Sequence, residues 1–261
     1  MATPPILDNK NPHAPSVFAP KSLLREARRQ KGLAAIDVPP LCILDPDGDI
    51  VRRLRHTGRA LRFDGWPCYH TELDSFTLAG HIVGIVGCAV GAPFAVLVAE
   101  ELFASGCRLL LSITSAGQIA AAGRPPYFVV IDRALRDEGT SYHYAPPAEF
   151  AAADLRLVAK AKAALDRTGL HAVIGASWTT DAPFRETAAA IEMARSKGVL
   201  AVEMEAAALY TFARVAAAGV LCLAHVTNTL GQIEHDFEKG EADGTAAALA
   251  VLESIAAELL D

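Results

Sequence analysis

Short apolar runs that stop at a polar or glycine-rich stretch and give way to a helix recur along this chain. That alternation limits the fold more than any single motif does. A strand over residues 82–86 ends at Gly87 and Gly91, ahead of a helix over 92–105; Pro93 suits the first turn of that helix. A strand over 109–113 ends in Thr114-Ser115-Ala116-Gly117. A strand over 171–175 precedes a loop over 178–185 and a helix over 186–196, and one over 199–202 runs into Glu203-Met204-Glu205 and a further helix. A strand over 220–226 stops at Thr227-Asn228-Thr229, followed by a polar loop over 231–244 and a last helix over 244–260. Further strands fall at 41–44 and 127–131, and a helix at 151–168. This order predicts a single α/β domain with a central mixed, mostly parallel sheet flanked by helices. In such sheets ligands gather at the carboxyl ends of the strands, where the polar stretches above converge.

Residues 1–40 read differently from 41–261. Pro4, Pro5, Pro12, Pro15 and Pro20 make an extended arm, and residues 21–31 form an amphipathic helix with a basic, solvated face. The rest is the α/β domain. A net charge of −6 argues against nucleic-acid binding, which needs clustered Lys and Arg. The five cysteines show no CxxC, and the eight histidines form no HxxxH or HExxH, so neither a metal nor a disulfide framework is expected. Free thiols, the lack of a leader-like start and the lack of a membrane-length apolar run point to a cytoplasmic protein without membrane contact.

Two stretches carry candidate chemistry. In Glu203-Met204-Glu205 two carboxylates stand one residue apart where a strand meets a helix. Glu205 in the first helical turn either caps the helix or faces a ligand. Asp45-Pro46-Asp47-Gly48-Asp49 is an acidic turn. It is no calcium loop, because the twelfth position from Asp45 is His56 rather than Glu.

AVEMEAAALY over 201–210 resembles the ribose-binding segment of the nucleoside phosphorylase superfamily, in the branch of uridine phosphorylase, hexameric purine nucleoside phosphorylase and methylthioadenosine nucleosidase. GCAVGAPFAVLVAEEL (87–102), SITSAGQI (112–119), SYHYAPPAEF (141–150) and TTDAPFRE (179–186) are similar to family segments in the same order. The resemblance implies a ribose site at Glu203, Met204 and Glu205, with Glu205 on the sugar hydroxyls. It implies a base site at Phe184, Arg185 and Thr227, and a phosphate or water site at Asp49, Gly91 and Ser115, with Arg62 lent by a neighbouring subunit. Glu205 and Asn228 would be the catalytic pair. No cofactor or metal is implied; phosphate would be a co-substrate. The expected assembly is a homo-oligomer, a dimer or a trimer of dimers (a hexamer).

Three departures stand out. The family's Gly-Asp-Pro turn followed by Arg reads Asp45 to Asp49 here, and a second phosphate Arg is replaced by Ser112. Asn228 stands where the purine enzymes place a proton-donating Asp, which tilts the base towards a pyrimidine. The expected reaction is phosphorolysis of a nucleoside to free base and ribose 1-phosphate. Hydrolysis by a nucleosidase, or binding without turnover, are the alternatives.

Overall fold

The structure is a computed structural model that describes residues 4–8, 10–230, 236–237 and 239–260. Of the polar loop expected over 231–244, residues 231–235 and 238 lie outside the described residues.

The apolar runs become strands because they are buried end to end. Strand β1 (Leu41–Asp45) is buried throughout. Parallel to it on either side lie β4 (His81–Gly87) and β5 (Leu109–Gln118), and β10 (Gly219–Asn228) runs parallel to β5 beyond. A second parallel group holds β6 (Tyr127–Asp137), β8 (Ala172–Thr180) and β9 (Val199–Glu203). Two antiparallel pairings, β10 with β6 and the last residues of β5 with β9, join the groups into a closed ring of strands. Short strands β2 (Leu61–Arg62) and β3 (Asp74–Leu78) extend one edge, and β7 (Phe150–Ala152) pairs with β6. The sheet is mixed, with parallel pairing inside each group.

Helices cover this sheet. The amphipathic helix α1 (Pro20–Lys31) buries Leu24 and Ala27, and it packs on α3 (Ala92–Ala104). Helix α2 (Asp49–His56) follows the acidic turn and buries Ile50, Val51 and Leu54. Helices α4 (Ser141–Tyr144), α5 (Leu155–Thr168), α6 (Ala188–Ser196), α7 (Ala206–Ala216) and α8 (Thr245–Leu260) complete the described elements. Helix α7 is buried along most of its length, which its alanines permit: Ala206, Ala207 and Ala208 all sit against the core.

Two expectations change. Thr114 to Gly117 is the continuation of β5, not a loop, because β10 pairs with one edge as far as Gly117 and β9 reaches Gly117 from the other. Likewise β8 extends through Thr180, into the stretch expected to be a loop. Both changes rest on hydrogen bonding from neighbours distant in sequence, which satisfies backbone groups of polar and small residues that show no strand preference of their own.

Candidate active site

The antiparallel pairing Gly117↔Val202 turns the carboxyl end of β9 back across β5. That brings Glu203 to Glu205 towards the end of β1 and the glycine-rich stretch after β4.

Glu203 is the helix cap. Its Oε2 accepts the backbone N–H groups of Glu205 and Ala206 at 2.6 and 2.7 Å, and its Oε1 accepts the hydroxyls of Ser177 and Thr179 at 2.9 and 2.5 Å. Thr179 in turn accepts the N–H of Ala207 at 2.9 Å. Both oxygens of Glu203, expected among the sugar ligands, are engaged within the chain. A carboxylate that satisfies orphan donors at a helix start is held by both hydrogen bonds and the helix dipole. Removing it leaves two buried N–H groups unpaired. We expect Glu203→Ala to cost about 2–4 kcal/mol, and Glu203→Gln about 1 kcal/mol, since an amide keeps the backbone acceptor; denaturant midpoints of the two variants measure this.

Glu205 is left free for another task. It stands at the N-cap of α7 but makes no side-chain cap bond. Its Oε1 accepts the Gly91 N–H at 2.7 Å, while its Oε2 is buried with no partner among the described residues. Burial, and then the charge of Glu203, push its carboxyl up to about 8. An unpaired buried carboxyl oxygen carries a cost of about 1–3 kcal/mol, and a ligand with hydroxyl donors relieves it. Met204 lies half-buried between the two acids.

Opposite them, the acidic turn reaches β5. Asp47 accepts the Ser115 N–H at 2.7 Å and the Ser115 hydroxyl at 2.9 Å. The acid paired with Ser115 is therefore Asp47, whereas Asp49 was the residue expected there. Asp49 begins α2 and pairs with Arg52 and, at 2.6 Å, with Lys239. The turn itself requires Gly48: its φ is +76°, and a Cβ there would collide with the Cys88 sulfur. Asp45, buried below the turn, accepts the N–H groups of Gly48 and Val51 at 3.2 and 3.0 Å. Burial drives its carboxyl up to about 7, with Asp47 and Asp49 adding to the effect.

The remaining candidates are more dispersed. Thr227 and Asn228 are buried at the end of β10. Asn228 Oδ1 accepts the Leu230 N–H at 2.9 Å, a local turn bond, and its Nδ2 reaches Thr227 Oγ1 at 3.2 Å and the Ala116 carbonyl at 3.4 Å. Phe184 is 99% exposed on a short turn after β8, and Arg185 beside it is exposed. The structure thus does not pack either against the Glu205 site, because the turn over Pro183–Arg185 projects into solvent. Arg62 lies on edge strand β2 and pairs with Glu72 at 2.5 Å and Asp74 at 3.7 Å, away from Ser115 within one chain.

Lys239 and His225 escape the sequence reading. His225 interrupts an apolar strand, and that interruption is its signal; nothing near Lys239 marks it. Among the described residues no group of His, Cys, Asp and Glu could hold a metal ion. No described helix is long and apolar enough to cross a membrane.

Comparison with known proteins bears on the fold. The family model described as the phosphorylase superfamily matches residues 40–259. A DeoD-type purine nucleoside phosphorylase of Bacillus cereus (strain ZK / E33L) is 33% identical over 139 residues, covering 52% of this chain and 59% of that protein. The chain thus spans less than two thirds of the length of the curated relatives it matches. In fold it is similar to uridine phosphorylase from Vibrio fischeri ES114 (TM-score 0.72, 22% identity, 87% of this chain and 95% of that one). It is also similar to purine nucleoside phosphorylase from Toxoplasma gondii in complex with immucillin-H (TM-score 0.75, 16% identity, 87% and 94%).

Proposed function

Because the chain belongs to the phosphorylase superfamily, we propose that it cleaves the N-glycosidic bond of a nucleoside by phosphorolysis, giving free base and ribose 1-phosphate. The observation that carries this reading is Glu205: one oxygen fixed by Gly91, the other buried and unpartnered. Hydroxyls of a ribose supply the missing donors. Cleavage passes through an oxocarbenium-like sugar, and a carboxylate bound to its hydroxyls stabilises the growing positive charge. The nucleophile enters from the Asp47–Ser115 side, where the N–H and hydroxyl of Ser115 are held by Asp47 until a phosphate displaces it. Asn228 donates through an amide and has no proton to give, which suits a base carbonyl and favours a pyrimidine.

Hydrolysis is the second reading, and Asp47 is the observation that favours it. Its carboxylate takes both Ser115 donors, so phosphate binds there only by displacing it, whereas a water would be held by the pair. Base release with and without phosphate separates the two. Phosphorolysis predicts release that requires phosphate and a product heavier than ribose by one phosphate in mass spectrometry. Undiminished release of base in phosphate-free buffer defeats it in favour of hydrolysis.

A homo-oligomer, dimer or trimer of dimers, belongs to the same proposal. Val17, Phe18 and Phe184 are exposed apolar groups that a neighbour would cover, and Arg62 would enter the neighbour's site. A cytoplasmic setting is in keeping with the five free cysteines.

A further inference from the structure

Ser115, His225 and Phe128 stand in one row across three neighbouring strands. In the pairing of β10 with β5, His225 lies opposite Ser115, and in that with β6 it lies opposite Phe128. The imidazole stacks on the Phe128 ring, with centroids 4.4 Å apart and planes 13° apart. Gly244, at the head of α8, closes on the ring: a Cβ there would stand 2.5 Å from His225 Cε1. The ring is therefore fixed by the sheet, by a stacked neighbour and by a glycine contact.

One atom of this fixed ring has no partner among the described residues. His225 is 6% exposed, and its Nε2 is buried without a partner among the described residues. The residue lines a cavity of about 20 Å³ together with Asp45, Asp47, Thr114, Ser115 and Lys239. A volume of that size admits one water-sized group. An unsatisfied ring nitrogen on a side chain that lines the cavity beside the Asp47–Ser115 pair is costly unless a ligand atom completes it.

We propose that His225 is a further catalytic residue of the nucleophile site, its Nε2 hydrogen-bonding the attacking oxygen that Asp47 and Ser115 hold from the other side. This role rests on the N-glycosidic reading above. Three contacts fix an oxygen in space where two leave it a swing. In the step they serve, the oxygen gives a lone pair to the sugar's anomeric carbon, and the carbon–nitrogen bond breaks with its electron pair going to the base. For a water, the proton released passes to Asp47. The ring stays uncharged at neutral pH: burial, with the nearby Lys239, lowers its pKa to about 4, although Asp47 and Asp49 act in the other direction. An uncharged imidazole is able to donate or accept at Nε2 as the attacking oxygen requires.

Kinetics of His225→Phe and His225→Gln test the role. Phe keeps the stack on Phe128 and removes both nitrogens; Gln keeps a polar end. We expect H225F to fold and to bind nucleoside with an unchanged KM, with kcat for base release lowered on the order of 10²-fold, and H225Q to recover part of that loss. A purely structural residue behaves otherwise: H225F then turns over like the wild type, and the role is overturned. If H225F fails to fold, H225Q against H225M carries the comparison, since the two are alike in length and differ in the polar end; equal turnover of that pair overturns the role. A wild-type protein that releases no base from any nucleoside, with or without phosphate, defeats the functional reading itself and this role with it.

Discussion

Glu205→Gln loses most base release, with kcat/KM lowered on the order of 10³-fold, while the variant is more stable than the wild type above pH 8. The two effects have one cause. Glu205 Oε2 is buried and unpartnered in the folded chain, and its neighbour Glu203 is a second buried carboxylate. Ionised, Glu205 is what an oxocarbenium-like sugar needs; in the empty protein that charge is unwelcome. Its pKa rises from 4.5 to about 8 through burial first and Glu203 second. Between those values the folded protein holds a proton that the unfolded chain has released. The stability this group contributes is therefore complete below pH 4.5 and is lost as pH rises through 8. By linkage the loss is on the order of 5 kcal/mol, and glutamine, which cannot ionise, escapes it. Melting temperatures of the two proteins should converge near pH 5 and separate at pH 9. In the wild type kcat/KM should climb with pH towards 8, and the variant's residual activity should lack that limb. A variant that keeps full turnover removes Glu205 from the reaction; equal melting curves at pH 9 would mean that folding does not raise the pKa of this carboxyl.

The roles of Glu203 and Glu205 show where sequence reading stops. Both stood out as candidates from their place at a strand–helix junction, yet which one caps the helix depends on Ser177 and Thr179, hydroxyls on a strand 26 and 24 residues before Glu203. No spacing rule contains that information. The acidic turn poses the same problem. Asp45, Asp47 and Asp49 alternate, and α2 decides among them: once the helix starts at Asp49, that side chain turns to Arg52 and Lys239, and Asp47 is the one that reaches Ser115. Helix α2 itself was hidden, because DIVRRLRH is short and charged, with Ile50, Val51 and Leu54 as its buried face. The apolar strands were readable because burial on both faces demands continuous hydrophobic runs. Their polar extensions were not, since Thr114 to Gly117 is held as strand by β10 and β9 rather than by its own preference.

Asp47→Ala should lower the KM for phosphate about 30-fold and make base release follow phosphate concentration steeply. Asp47 occupies the N–H and hydroxyl of Ser115, the donors a phosphate oxygen would take. A phosphate approaching the intact carboxylate meets a like charge, and at 4 Å with an effective dielectric of 20 that contact costs about 4 kcal/mol. Screening and the option of the carboxylate swinging aside reduce the penalty, so about half of it is a fair expectation for the variant's gain. Removing the acid frees both Ser115 donors and leaves Lys239 and Arg52 close by on Asp49, so the local charge moves towards what a phosphate needs. The same change should slow phosphate-independent release, because a water then loses its acceptor. Asp47→Asn separates the two contributions: it removes the charge yet keeps one acceptor for Ser115, so its phosphate KM should fall less than the alanine variant's. Initial rates across a phosphate series for the three proteins decide the matter. Parallel curves would mean that Asp47 does not share the nucleophile's place; a fall in the phosphate-free rate with no gain in phosphate would identify water as the nucleophile and Asp47 as its partner.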